Sequence, residues 1–320
     1  MSKEPVKLKS NALGLGESII MGVAGAAPAY SMAAAMATLM AAVGLLSIAS
    51  IFYCGLIIFG VTIVYMKLNR EHPSAGGAYT WVTKAFHPIL GFFAGWALLV
   101  ASAIFMVSGT IPAATATLAL VAPDYIENPY VVTAIAAGWL VFVSLVVVKG
   151  IKLSSYAQLI LTLTEVLLIG ILIVYAISKN IADPAQPLTW SLLSPHWFTP
   201  ESFTNGALTA IFLFWGWDVT VNLSEETRDS RKVAGLGAFF AMVIVLLLFM
   251  SFAAALQLSL TEAEIEAAGT NVIFVLAQKL FPEPWSYIAI IAVMVSTIGT
   301  IETNILQFTR TMYAKGRDRM

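Results

Sequence analysis

The chain has 320 residues, 59% of them hydrophobic and only 11% charged, and its formal net charge is -1. A soluble globular chain averages about 25% charged residues, so this composition excludes an ordinary soluble domain, and no basic stripe points to nucleic acid. Its apolar runs reach the roughly 20 residues that a membrane helix requires and lack the alternation of a membrane barrel, so the expected fold class is an all-α polytopic membrane protein.

Residues 1–17 are basic and precede an apolar segment too long for a signal-peptide core, which reads as a cytoplasmic tail leading into a retained first helix. Hydropathy then predicts eight spans: Ser18 to Ala41, Ile48 to Leu68, Leu90 to Leu120, Val131 to Val148, Ser154 to Ile177, Thr204 to Leu223, Val233 to Leu258 and Trp285 to Met312. With the N-terminus inside, all of the 17 Lys and Arg residues except Lys179 and Lys279 fall on the cytoplasmic side. The expected location is therefore the cytoplasmic membrane, in contact with the lipid bilayer. Cys54 stands alone in an apolar run and reads as a small buried hydrophobe.

Two outer segments carry structure signals. Asp183 to Ser202 is rich in Pro and Trp and predicts an extended loop at the interface. Thr261 followed by Glu264 is a capping-box pattern, and Asn271 to Leu280 predicts a second short helix before Pro282 and Pro284. Either segment fits a cover over a vestibule or an ordinary ordered surface loop.

The first span, with Gly22, Gly25 and Pro28 within about two turns, is expected to unwind between Val23 and Pro28; the same run also fits an ordinary kink in a packed membrane helix. The sixth is interrupted too, at Phe214-Trp215-Gly216-Trp217-Asp218. Paired interrupted helices in corresponding positions point to a transporter site, because freed carbonyls and amides can bind ions and substrate charges. Spans one to three and six to eight correspond in order and spacing.

Three motifs then carry a family resemblance. Gly216-Trp217-Asp218 through Leu223-Ser224-Glu225-Glu226-Thr227 and Arg231, the loop Pro73-Ser74-Ala75-Gly76-Gly77-Ala78-Tyr79, and the group Arg310, Tyr313, Arg317 and Asp318 lie in the order found in permeases. Together they resemble the amino acid/polyamine/organocation (APC) superfamily over essentially the whole chain. The resemblance implies a LeuT-like five-plus-five inverted repeat with discontinuous helices 1 and 6, alternating access, and a central site between helices one, three, six and eight. On that frame residues 18–178 form the first repeat, 179–203 an extracytoplasmic loop and 204–320 an incomplete second repeat, so the chain is expected to be truncated after its eighth helix.

The same frame assigns candidate residues. The backbone of Val23, Ala24, Gly25, Ala26 and Ala27 suits substrate head groups, with half-helix amides for a carboxylate and carbonyls for an amine. The resemblance makes Phe212 the aromatic over the substrate and places Trp215 and Gly216 beside it. Of three intramembrane acids, Glu165 fits a proton carrier, a sodium ligand, a partner for a substrate amine or a neutral acid bonded to a carbonyl. Asp218 fits a titrating residue or a structural cap. Glu302, with Asn304 as neighbour, fits a cationic amine or a salt bridge to Arg310. Glu225, Glu226, Arg228 and Arg231 fit an inner gate or a solvated turn.

The function expected is a secondary active symporter or exchanger of amino acids, coupled to protons or sodium, with polyamines or simple amines as the alternative substrate class. No cofactor, metal or nucleic acid is implied. An intramembrane enzyme lacks any HExxH or GxSxG motif, and His72, His87 and His196 fall in loops on different sides. A receptor or scaffold fragment is the other class that the sequence fits. It leaves the oligomeric state open.

Overall fold

In the computed structural model, residues 8–319 are described, and the first seven residues of the expected cytoplasmic tail lie outside them. The described residues are helical, with a single isolated parallel bridge between Leu13 and Thr227. The chain runs α1 (Leu15–Ala26), α2 (Pro28–Val43), α3 (Ser47–Glu71), α4 (Ala78–Ala85), α5 (Pro88–Ser108), α6 (Thr110–Val121) and α7 (Pro129–Val148). It continues through α8 (Ile151–Asn180), α9 (Pro200–Leu213), α10 (Val219–Asn222), α11 (Val233–Ser259), α12 (Glu262–Ala268), α13 (Val272–Leu280) and α14 (Ile288–Arg317).

Among the described residues, six helical stretches are long and apolar enough to cross a membrane: Leu15–Glu71, Pro88–Val121, Pro129–Val148, Ile151–Asn180, Val233–Ser259 and Trp285–Arg317. The first of these joins what hydropathy divides into two spans. The expected sixth span is not among them, because α9 stops at Leu213 after 14 residues and the chain becomes irregular before α10.

The interruption in the first helix is narrower than the sequence predicts. Val23 to Ala26 stay helical and only Ala27 leaves the helix, at φ 47°, after which Pro28 opens α2. A proline at the first helical position has no amide to leave unsatisfied, so the residue that signals the break also restarts the helix. The second interruption lies where it was expected, between Leu213 and Val219, with Gly216 at φ 100°. The long third span also divides, α5 ending at Ser108, four residues before Pro112, whose ring would crowd that carbonyl.

Packing places α11 along α1 and α3, α14 against α8, α6 and α5, and α2 beside α9. The core between them is apolar, with Met32, Met36, Phe249, Phe252 and Leu276 fully buried. The outside is apolar as well: Ile57, Val64, Val141, Leu145 and Val174 are each more than half exposed, the surface expected where the surrounding solvent is hydrocarbon.

Both structured loops form. Thr261 Oγ1 accepts from the Glu264 amide at 3.3 Å while the Thr261 amide donates to Glu264 Oε2 at 2.7 Å, closing the capping box of α12. α13 then buries Val272, Ile273 and Leu276 in the core. The Pro- and Trp-rich segment holds two short 3-10 turns and is tied to the end of α11 by Gln186, whose amide donates to the Gln257 carbonyl at 3.0 Å.

Candidate functional site

The two helix interruptions meet. A Cβ placed on Gly25 would overlap the carbonyl of Gly216, and one placed on Gly216 would overlap the carbonyl of Gly25. Glycine at both positions lets the two backbones touch, and at Gly216 it also relieves the positive φ. The C-terminal ends of α1 and α9 thus arrive at one place, and with them the negative ends of two half-helix dipoles.

A cavity of about 410 Å³ opens at this junction. One side is polar and small: Gly25 and Ala26 at the end of α1, Ala27 of the first interruption, Tyr30 and Ser31 of α2, and Thr300 and Asn304 of α14. The other is apolar: Ala101, Ile104 and Phe105 of α5 with Phe212 at the end of α9 and Trp215 of the second interruption, and Ser108 at the α5 terminus. The aromatics sort by position. Phe212 and Trp215 face the cavity, whereas Phe214 and Trp217 are buried in packing, Phe214 edge-on to Phe249 and Trp217 against Tyr65. Tyr30 also borders a second, larger cavity of about 730 Å³ between α2, α6, α13 and α14.

The backbone groups freed at the first interruption are largely taken within the protein. The Ala24 carbonyl accepts from Thr300 Oγ1 at 2.8 Å and the Ala26 carbonyl from Ser31 Oγ at 2.8 Å. At the start of α2, the Ala29 amide donates to Glu165 Oε1 at 2.8 Å, the Tyr30 amide to Ser296 Oγ at 3.2 Å and the Ser31 amide to the Ala27 carbonyl at 2.8 Å. The amides of Ala29, Tyr30 and Ser31, which open α2 just after the expected Val23 to Ala27 backbone, therefore already have partners.

None of the three intramembrane acids lines the 410 Å³ cavity. Glu165, 1% exposed, turns behind α2 to cap its N-terminus from α8. Asp218 accepts from Gln307 Nε2 at 3.0 Å, and the same nitrogen reaches Asn222 Oδ1 at 3.2 Å. Glu302, 2% exposed, faces α8, where the Gln158 carboxamide is satisfied with its nitrogen donating to Glu302 Oε2 at 3.2 Å and to the Gly299 carbonyl at 3.1 Å. Asn304 is on the wall and Glu302 behind it. The salt bridge from Glu302 to Arg310 does not form; Arg310 pairs with Glu226 instead.

The acidic motif after α10 gathers one end of the bundle. Arg310 holds Glu226 through two bonds, Nε to Oε2 at 2.8 Å and Nη2 to Oε1 at 2.9 Å. Arg317 reaches Glu225 Oε2 at 3.0 Å, while Glu225 Oε1 accepts from the Ala75 amide at 2.8 Å. Asn222 Nδ2 donates to the Ala75 carbonyl at 2.9 Å and to Thr311 at 3.2 Å. The Glu226 carbonyl accepts from the amides of Ala12 and Leu13, and the Arg228 amide returns a bond to Leu13. The three motifs of the family resemblance are therefore one cluster. Among the described residues neither Arg228 nor Arg231 forms an ion pair, so the acids reach across to α14 and not along their own loop.

Sequence reasoning missed Tyr30, Ser31, Thr300, Ser296 and Gln307. Four polar residues of α14, Ser296, Thr300, Gln307 and Thr311, follow each other at near-helical intervals on one buried face of an apolar helix. That periodicity was the available signal. Ser154, Gln158, Thr162 and Glu165 make the same stripe on α8, and the two stripes face each other.

The sequence matches the amino acid permease family over residues 13–320. Among curated proteins it is similar to the low-affinity putrescine importer PlaP of Escherichia coli, 25% identical over 264 residues, covering 79% of this chain and 55% of that one. It is also similar to the serine/threonine exchanger SteT of Bacillus subtilis, 23% identical, covering 80% of this chain and 56% of that one. Human b(0,+)-type amino acid transporter 1 is 23% identical, with 83% and 54% covered. The chain spans about half the length of the curated relatives it matches.

Proposed function

This chain belongs to the amino acid permease family, and on that footing we propose that it is a secondary active transporter of amino acids working by alternating access. The family is one of permeases and not of enzymes, which sets the intramembrane enzyme aside. The observation that carries the proposal is the contact of two interrupted helices, Gly25 against Gly216, beside a cavity that Gly25 and Trp215 line. Relatives named for putrescine import and for serine/threonine exchange keep amines as the second substrate class.

In this reading the chain crosses the cytoplasmic membrane eight times with its N-terminus inside, and residues 18–178 and 204–320 are inverted counterparts joined by 179–203. The pairing of α1–α2 with α9–α10, of α3 with α11 and of α5–α6 with α14 supports it. The substrate lies against Gly25, Ala26, Ala27 and Asn304, under Phe212 and Trp215, with Val23, Ala24 and Gly216 buried in the layer behind. Glu302 holds α8 to α14 from behind that wall.

Glu165 is the coupling residue. Its carboxylate bonds an amide at the positive end of α2, so binding a proton weakens the tie between α8 and the half-helix that flanks the substrate. Asp218, linked through Gln307 and Asn222 to the inner cluster, transmits the state of the second interruption to the latch formed by Glu225, Glu226, Arg310 and Arg317.

Counterflow of labelled amino acids into proteoliposomes tests the proposal. Saturable accumulation driven by unlabelled amino acid inside is expected. Binding without counterflow would favour the receptor or scaffold class, and a response to sodium with none to protons would replace the proton by sodium.

A further inference from the structure

We infer that the substrate is a zwitterionic amino acid with an uncharged, apolar side chain, and that diamines and amino acids with charged side chains are rejected. The inference rests on the transporter reading and names the substrate class of its site.

It follows from how charge and polarity are divided around the 410 Å³ cavity. Three intramembrane acids suggest a cation site, yet none of them faces this cavity: Glu165 bonds the Ala29 amide, Asp218 bonds Gln307, and Glu302 turns to Gln158 of α8 through Oε2, its Oε1 having no partner among the described residues. Among the described residues no Asp, Glu, Lys, Arg or His lines the cavity. A ligand carrying a second ammonium, a guanidinium or a side-chain carboxylate would leave water with no opposite charge to meet, a heavy penalty in a site of low polarity.

Polarity is concentrated on one wall. There the negative ends of α1 and α9 converge, which favours a single ammonium. The amides of α2 are occupied, so a carboxylate must be met by side chains, and two are placed for it. Asn304 is 7% exposed, lines the cavity, and among the described residues its carboxamide makes no hydrogen bond. The Tyr30 hydroxyl is likewise unpartnered among them. A buried amide without a partner is rare in a finished core and marks a position completed by a ligand.

The facing wall offers Ala101, Ile104, Phe105, Phe212 and Trp215, an aliphatic and aromatic surface suited to an apolar side chain and adjoining the polar one where Phe105 meets Tyr30 edge-on. An amino acid with its ionised groups at one end matches this division. A diamine, polar at both ends and apolar between, does not.

The test is a competition and thermal-shift panel on the full chain in detergent, using leucine, phenylalanine, free lysine, glutamate and putrescine, repeated with Ser108→Asp. Ser108 is exposed on the α5 wall beside Ile104 and Phe105, so the added carboxylate disturbs no packing. Leucine or phenylalanine is expected to stabilise the wild type, with the charged ligands weaker by about a hundredfold or more. Ser108→Asp is expected to narrow that gap for free lysine. Putrescine, lysine or glutamate binding as well as leucine would overturn the inference and leave the transporter reading standing. Failure of all five to bind a folded wild-type chain would overturn both.

Discussion

Gly25 and Gly216 touch backbone to backbone, each occupying the space a Cβ on the other would need. Two helix interruptions separated by most of the chain are thereby held as one structure. Gly25→Ala and Gly216→Ala are each expected to lower stability by about 1–3 kcal/mol and to abolish ligand binding. Gly216→Ala is expected to be the worse, since its φ of 100° adds backbone strain. Gly138→Ala and Gly170→Ala are the controls, because a Cβ at either position meets nothing within 4 Å. Thermal unfolding of the four variants in detergent gives the comparison; equal effects at all four would remove the contact's special standing.

Glu165→Gln keeps the shape of the side chain but cannot exchange a proton. The pH dependence of counterflow is expected to flatten in this variant while ligand binding persists. Glu302→Gln, on the same face of the α8–α14 interface but behind the wall, is expected to leave the pH profile in place. A profile that follows Glu302 and ignores Glu165 would reverse the assignment.

The two inner ion pairs differ in burial and so should differ in worth. In the Arg310–Glu226 pair the side chains are 12% and 3% exposed, whereas in Arg317–Glu225 they are 42% and 23% exposed. Arg310→Ala strands a buried carboxylate and is expected to cost roughly 3–5 kcal/mol. Arg317→Ala is expected to cost about 1 kcal/mol or less. Chemical unfolding of both variants measures the difference, and similar losses would mean that burial does not set the latch's strength.

Glu264 is held below the usual carboxylate range by the Lys279 ammonium at 2.7 Å and by the Thr261 amide. A depressed carboxylate pKa contributes stability above the unfolded value, and that contribution is lost as pH falls through the folded value. Acidification below the ordinary glutamate range is therefore expected to loosen α12 and α13 before the rest. Hydrogen exchange followed against pH reads this, and Lys279→Ala should move the loosening to higher pH. The group is largely exposed, so the effect is small and local.

Much of this was legible in the sequence, and the reasons are specific. Gly216 with Asp218, and Thr261 with Glu264, announce their structures through local chemistry, and both formed where expected. The exact width of the first interruption was not legible, because Pro28 signals equally a break and a helix start. The intramembrane position of Glu165, Asp218 and Glu302 could be read from hydropathy, but not the direction in which each turns. That depends on which residue of a neighbouring helix faces it, as Gln158 faces Glu302 and Gln307 faces Asp218. Three acids in an apolar chain therefore suggested a cation site that the folded chain does not present.

The most direct test of a substrate seated between the two interruptions is alkylation of Ser108→Cys, a single exposed thiol on the cavity wall, in a chain whose native Cys54 is buried. Leucine is predicted to slow labelling saturably, at the concentrations at which it stabilises the protein. An unchanged labelling rate while leucine is demonstrably bound would place the substrate elsewhere and contradict the account.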